Sequence, residues 1–387
     1  MKHFKNTEKA IDRILLAKKR GEKIGIWGDY DPDGIPGAVI IRDALIGAGF
    51  PANKLVIVLP EQKHYNRSFN PTHLRMLKKR KVSLILGVDF GTDDFAEVRM
   101  ARDMGFDVIL FDHHPQRPGA LPAILINHLQ SGDRYPHKHW CGAGVAYKFF
   151  ESYYLDQRLD LRKLEADLDL MALAMIADRI IPDEYNLKYI NRGIHLINRH
   201  TRPGLQALLH LADGDRITRN EAMNVLISRF FPKLSNERNE MYRLFTARTM
   251  ASARRYAKIL NDRYKRVAVY VKKEIEKGVR QYRREKPSVL ILRAEVPSIV
   301  RGMISAISEG LVKEIKIPLF VYKKQDDHFY GSARAPIGSD FNVVAAMDSA
   351  KDTLVSYGGH LTSAGFRIKG GKEKEFREAI KRYFDSL

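Results

Sequence analysis

Cysteine is almost absent from this chain: Cys141 is the single thiol in 387 residues. No intramolecular disulfide can form, which fits a reducing cytoplasm. Long apolar runs are missing as well. None reaches the length that spans a bilayer, and the N-terminus, Met1-Lys2-His3-Phe4-Lys5-Asn6, has no apolar segment of the signal-peptide type. No membrane partner is therefore expected. Gly and Pro are nowhere dense enough for a low-complexity tail. No Gly-rich loop ending in Lys-Ser or Lys-Thr is found, so nucleotide triphosphatase chemistry is not indicated. Acidic residues are scarce relative to basic ones: 46 Asp and Glu stand against 66 Lys and Arg, a formal charge of +20. A chain this basic usually meets a polyanion, although a surplus that merely keeps the protein soluble has the same composition.

What remains is ordinary for a globular protein, with 44% hydrophobic and 29% charged residues. The first half alternates short runs rich in Val, Ile and Leu with segments of helical period. Ile24–Trp27, Leu55–Leu59, Leu84–Val88, Val108–Phe111 and Ala123–Ile126 read as strands buried on both faces. Val39–Ala48, Pro71–Lys79 and Asp94–Met104 read as the helices between them. This rhythm predicts an α/β domain with a mostly parallel sheet. From about Leu161 to Tyr264 strand signals fade into a helical connector. Beyond it, Val267–Val271, Val289–Leu292, Pro318–Tyr322, Phe329–Ala333 and Gly365–Ile368 read as strands. Ile299–Glu314, Asn342–Ser356 and Lys372–Phe384 read as helices, with Asp340 as a cap for the second. The expected organisation is a first α/β domain over 1–190, a helical connector over 191–254 and a smaller α/β domain over 255–387.

The chemistry concentrates at strand ends. Ile24–Gly28 runs into Asp29-Tyr30-Asp31-Pro32-Asp33-Gly34, three carboxylates at alternate positions. Open α/β sheets take their ligands at that edge. Crowded carboxylates favour a compensating cation, and oxygen donors suit Mg²⁺ or Mn²⁺. An acidic turn capping a helix gives the same pattern. Leu84–Val88 ends in Asp89-Phe90-Gly91-Thr92, which by itself is also a common cap. Val108–Phe111 ends in Asp112-His113-His114-Pro115. Paired imidazoles bind Mn²⁺ or Zn²⁺, and the neighbouring Asp can orient them. Asp178 lies in the apolar stretch Ile176-Ala177-Asp178-Arg179-Ile180-Ile181-Pro182 and calls for a cation, either a metal or Arg179. Together these four sites supply ligands for two divalent cations. Such a pair polarises a phosphoryl group, generates hydroxide and stabilises the leaving oxygen. His137, His139 and Cys141 match no familiar zinc spacing and read as a loop.

In order and spacing these stretches resemble the four motifs of the DHH phosphoesterase superfamily. Gly142-Ala143-Gly144-Val145-Ala146-Tyr147-Lys148 and Ile176-Ala177-Asp178 are similar to its RecJ branch, as is Phe231-Pro232-Lys233-Leu234-Ser235-Asn236-Glu237-Arg238, though imperfectly. Gly331-Ser332-Ala333-Arg334 and Gly358-Gly359-His360 resemble elements of the DHH-associated substrate domain. The resemblance implies that Asp29, Asp31 and Asp89 bind one metal. Asp33, Asp89, His113 and Asp178 would bind the other, with Asp89 bridging. It implies that His114 touches the scissile phosphate or the attacking water, so that His114 and Asp89 are catalytic. Arg238, Ser332, Arg334 and His360 would hold substrate phosphates. The metal expected first is Mn²⁺, with Mg²⁺ second. The activity implied is hydrolysis of single-stranded DNA from an end, releasing 5′-mononucleotides, with DNA favoured over RNA and with replication or repair proteins as partners. The same motifs serve phosphodiesterases of short oligonucleotides, adenosine bisphosphate phosphatases and inactive scaffolds. Two departures stand out: Pro60-Glu61-Gln62-Lys63-His64-Tyr65-Asn66-Arg67 lacks the branch's Gly-Tyr-Gly, and no residues remain for an OB-fold.

Overall fold

The computed structural model describes residues 3–60, 68–212, 214–227, 239–296, 302–336 and 338–386. The chain divides into two compact units. One comprises Met1–Phe231 with Asn236–Asn261, and the other Pro232–Ser235 with Asp262–Leu387.

The first unit is built on five parallel strands in the order β2-β1-β3-β4-β5. These are β1 (Lys23–Gly28), β2 (Leu55–Val58), β3 (Val82–Val88), β4 (Asp107–Phe111) and β5 (Ile124–Ile126). The five apolar runs of the sequence are these strands. Helices α1 (Thr7–Arg20), α2 (Gly34–Gly47), α3 (Pro71–Lys79), α4 (Phe95–Asp103) and α5 (Gly142–Asp156) accompany them. The sheet is covered on both faces. Ile24, Ile26, Leu84, Leu86, Ile109 and Phe111 enter one core with residues of α2 and α5. Trp27, Ile85, Val108 and Leu110 enter a second core with residues of α3 and α4. Alternating side chains thus leave on opposite faces, and both faces are apolar, as parallel strands require. The stretch from about Leu161 to Tyr264, where strand signals fade, is helical and includes Leu168–Ala177 and Glu184–Asn198. Arg202 anchors it: its guanidinium donates to Asp167 at 2.7 Å, to Asp169 at 2.7 Å and to the Phe245 carbonyl at 2.9 Å.

The second unit holds a mixed sheet in the order β6-β7-β8-β10-β9. Its strands are β6 (Leu290–Arg293), β7 (Leu319–Gln325), β8 (His328–Arg334), β9 (Leu354–His360) and β10 (Ser363–Ile368). The sequence expectation fails at two places. Val267–Val271 is not a strand but part of the 36-residue helix Met250–Glu285. The β-branched run misleads: Val267, Val271, Ile275 and Val279 repeat every fourth residue and pack on the core, whereas Val269 is 67% exposed. The helix expected over Asn342–Ser356 stops at Ser349, and Leu354–His360 is a strand. Its cap is Asn342 rather than Asp340, the Asn342 side chain accepting from the backbone of Val344 and Ala345 at 3.0 Å. Among the described residues, no helix is long and apolar enough to cross a membrane.

Candidate metal centre

Register builds this site. Gly28 pairs with Val88 and Val88 with Phe111, while Phe111 pairs with Ile126. Four adjacent strands therefore end level, and the next residues are Asp29, Asp89, Asp112 and Asn127. The pairing continues into them: the Asp89 amide donates to the Phe111 carbonyl at 2.9 Å and the Asp112 amide to the Ile126 carbonyl at 3.1 Å. Asp89 then turns with φ 68°, a conformation Asp tolerates better than most residues.

The acidic turn after β1 folds back on itself. Asp31 Oδ1 accepts from the backbone amides of Asp33 and Gly34, both at 2.9 Å. A Cβ on Gly34 would lie 2.5 Å from the Asp29 backbone, so this turn requires glycine. Asp33 has the buried N-terminus of α5 above it: Oδ2 accepts from the Gly142 amide at 2.6 Å and Oδ1 from the Ala143 amide at 2.8 Å. Gly142 makes the approach possible, because a Cβ there would meet Asp89 Cα and Cβ at 2.8 Å.

His113 stands among the carboxylates. Its Nε2 lies 3.3 Å from Asp89 and 3.8 Å from Asp33, and its Nδ1 lies 3.6 Å from Asp178. Asp178 is the residue that closes the helix Leu168–Ala177, not one inside it. Three sets of residues can each bring ligand atoms within 4.8 Å of one another: Asp29, Asp31 and Asp89; Asp33, His113 and Asp178; and Asp89, Asp112, His113 and His114. All six residues expected to bind metal from the sequence are thus brought together.

Asp112 has a different part. It is fully buried, and Oδ1 accepts from the amide of His113 at 2.8 Å and faces His114 Nδ1 at 2.7 Å; Oδ2 accepts from the Thr92 amide at 2.9 Å. Burial raises its pKa, but hydrogen bonds and charge from His114, with hydrogen bonds from Thr92, outweigh it and bring the carboxyl down to about 2. An ionised carboxylate can only accept, so His114 Nδ1 carries the proton of this hydrogen bond. Sequence reasoning missed the next layer. Asn127 is buried and donates to Thr92 Oγ1 at 3.0 Å and to the His114 carbonyl at 2.9 Å. Its signal was present, since it follows strand β5 as the three Asp residues follow theirs.

The electrostatics call for positive charge. Burial, then the carboxylates of Asp33, Asp31, Asp112 and Asp29, push the Asp89 carboxyl well above its ordinary range. Burial and Asp33 raise Asp178 to about 6. Divalent cations fit this demand, and carboxylate oxygens with one imidazole suit Mn²⁺ or Mg²⁺. Cys141 is no competitor: burial and Asp33 push its thiol up, keeping it protonated. His137 lies 2.9 Å from Asn186 and packs at a tilt against the Tyr185 ring in the loop before α5, as the sequence reading had it.

Ser332 and Arg334 belong to β8 of the second unit, where they line a cavity of about 330 Å³. His360 ends β9 and pairs with Ser363. Arg238 and the segments 61–67 and 231–237 lie outside the described residues.

The family model described as DHH family, N-terminal domain, matches residues 23–175. The single-stranded-DNA-specific exonuclease RecJ of Bacillus subtilis is 27% identical over 396 residues, covering 99% of this chain and 48% of that protein. A manganese-bound RecJ from Thermus thermophilus superposes with a TM-score of 0.79 at 22% identity, over 99% of this chain and 55% of that one. A second manganese-bound exonuclease RecJ gives 0.77 at 21% identity, over 99% of this chain and 95% of that one. The chain spans about half the length of the RecJ proteins of Bacillus subtilis and Thermus thermophilus. The fold, the family-model match over residues 23–175 and the four level strand ends agree in likening this chain to the DHH family, and it is similar to the RecJ exonucleases over nearly its whole length.

Proposed function

We propose that this chain is a divalent-cation-dependent phosphodiesterase that removes mononucleotides from an end of single-stranded DNA. The observation that carries this reading is the convergence of Asp29, Asp31, Asp33, Asp89, His113 and Asp178 at the carboxyl edge of the sheet. Asp29, Asp31 and Asp89 would hold one cation, and Asp33, His113 and Asp178 a second, with Asp89 between them. Bound cations there would screen the charge of a phosphodiester and acidify a water. The protein's own part is positioning. Asp31 and Asp33 are fixed by backbone amides, which spares the site a reorganisation when substrate arrives. His114, held by Asp112, would exchange a proton at Nε2 with the attacking water or the leaving oxygen. Ser332, Arg334 and His360, together with Arg238, would hold phosphates of the strand.

The RecJ relatives are named for action on single-stranded DNA, which favours DNA over RNA, and the net charge of +20 suits a flexible polyanion. A cytoplasmic place beside replication or repair proteins belongs to the same reading. The test is digestion of single-stranded DNA labelled at either end, with Mn²⁺. Stepwise release of mononucleotides supports the proposal, and the label lost first gives the polarity. Turnover confined to oligomers a few nucleotides long would redirect it to a short-oligonucleotide phosphodiesterase. Inertness toward both would refute it.

A further inference from the structure

Two faces of the helix Met250–Glu285 differ in what they meet. Val267, Val271, Ile275, Val279 and Tyr282 pack on a core of the second unit. The seating is tight. A Cβ on Gly278 would lie 2.7 Å from the Leu311 side chain, and one on Gly310 would lie 2.3 Å from Ile275. At about 100° per residue, Arg266, Val269 and Lys273 stand opposite this seated face, with Lys265, Tyr270 and Lys272 on its flanks. All six are exposed, Val269 by 67% and Tyr270 by 42%.

The fold explains neither the charge nor the apolar pair on that outer face. From Arg263 to Lys273 the helix carries five cations and no acid. Further along, charge is matched: Lys277 pairs with Glu295, Arg280 with Glu276 and Arg284 with Glu285. Among the described residues, Lys265, Arg266, Lys272 and Lys273 enter no such pair. Glu295, whose charge Lys273 feels, is hydrogen-bonded by Lys277 at 3.0 Å. A helix face that is merely solvated intersperses both signs. Val269 buries little there, and a β-branched residue is a poorer helix former than Ala, Leu or Lys. Tyr270 is the exposed tyrosine of this helix, whereas Tyr256, Tyr264 and Tyr282 are half-buried. Lys265 and Arg266 precede this pair, and Lys272 and Lys273 follow it, about 10 Å further along the axis. Cations bracketing an exposed aromatic ring can hold a strand by backbone and base together. A membrane-surface helix would need a broad free apolar face, and here that face is spent on the core.

We infer that Lys265, Arg266, Lys272 and Lys273, with Tyr270 between them, form a separate contact for single-stranded DNA, the ring stacking on a base and the cations holding the flanking phosphates. The inference deepens the proposed function and rests on its nucleic-acid reading. None of these residues belongs to the metal centre or to the expected phosphate-binding set. The contact is indifferent to sequence, because every base has a π-face, and it weakens as salt rises. It serves strands long enough to occupy more than the catalytic site.

The test is equilibrium binding to the full chain, in chelator so that nothing is hydrolysed, of oligothymidylates of about 20 and about 3 nucleotides, each across a salt series. A fourfold variant carries Lys265→Gln, Arg266→Gln, Lys272→Gln and Lys273→Gln. It should bind the long strand about tenfold or more weakly, and its slope of log affinity against log salt should flatten by about 0.7 per cation removed. The short oligomer should change by less than about twofold. Tyr270→Ala should weaken the long strand about fivefold or more and leave the salt slope as it was. This single exposed change keeps the test decisive if the fourfold variant fails to fold. Equal losses at both lengths, or an unchanged long-strand affinity in either variant, would overturn the inference. Polyglutamate or phosphatidylserine vesicles bound through the four cations, with DNA affinity untouched by their removal, would overturn it in favour of an acidic partner or a membrane. A wild type inert in digestion but showing the expected pattern would sink the exonuclease reading alone. An active enzyme without the pattern would sink the helix contact alone.

Discussion

The carboxylate of Asp112 lies 2.7 Å from Nδ1 of His114, and its other oxygen is occupied by the Thr92 amide at 2.9 Å. This pair sets the tautomer of His114. Asp112→Asn keeps the shape but can present an N–H to Nδ1, moving the ring proton to Nε2. Loss of an orienting partner of this kind typically costs about 10- to 100-fold in activity. Hydrolysis by Asp112→Asn should fall by that factor while its affinity for single-stranded DNA, measured in chelator, stays within about twofold of the wild type. A parallel loss of affinity would mean that the pair organises the strand and not the proton.

The same carboxyl sets a pH dependence. Its folded pKa of about 2 lies below the ordinary value of about 3.9. A depressed carboxyl contributes stability that is fully present above its unfolded pKa and lost as pH falls through the folded one. Denaturant midpoints of the wild type should thus decline between about pH 4 and pH 2. Asp107 and Glu22, both held below their ordinary range by hydrogen bonds from Arg13 that outweigh their burial, add to the decline. The slope should be shallower in Asp112→Asn, and an identical slope would show that Asp112 is not ionised through this range.

Asp89 is held under repulsion in the metal-free fold. Its carboxyl is pushed well up by burial and by four neighbouring carboxylates, so its ionised form strains the metal-free fold. Asn accepts the same positive φ. In chelator, Asp89→Asn should melt a few degrees above the wild type, the shift produced by about 1 kcal/mol. Addition of Mn²⁺ should raise the wild-type melting temperature and leave the variant nearly unmoved. A variant that melts lower in chelator would contradict the repulsion argument.

How much of this was legible in the sequence depends on the range of the interaction. The parallel sheet was legible because Ile24–Trp27, Leu84–Val88 and Val108–Phe111 are local runs, each followed at once by its carboxylate. That these strands end level was not, since register is set by pairing between distant segments. Asp178 was singled out, but its place at the helix terminus follows from how that helix ends. Val267–Val271 was misread because a β-branched run was given more weight than its four-residue period. Leu354–His360 was missed because its glycines weaken the strand signal while its neighbours supply the pairing.

Gly142 holds α5 close to the carboxylates. A Cβ there would fall 2.8 Å from Asp89 Cα and Cβ, with backbone to move and no flexible side chain to yield. Gly142→Ala should lose about 1–3 kcal/mol of stability and weaken Mn²⁺ binding by lengthening the amide contacts to Asp33. Calorimetric titration with Mn²⁺ beside a urea melt reads both. Unchanged metal affinity would show that those amides do not position Asp33.

Arg202 tests the helical region without touching the site. Removing its charge in Arg202→Met strands two buried carboxylates, Asp167 and Asp169. Breaking a buried pair from one side costs about 3–5 kcal/mol, readable as a fall in urea midpoint. A loss below about 1 kcal/mol would class the cluster with exposed pairs.

The central claim is that the carboxylates and imidazole at the sheet edge cut a phosphodiester with divalent cations. Its most direct test is the rate of mononucleotide release from single-stranded DNA as Mn²⁺ is titrated into metal-stripped protein, in the wild type and in Asp89→Asn. The account predicts no release without metal, saturable release with it in the wild type, and loss of release in the variant while DNA binding persists. Release at full rate in chelator, or undiminished release by Asp89→Asn, would contradict it.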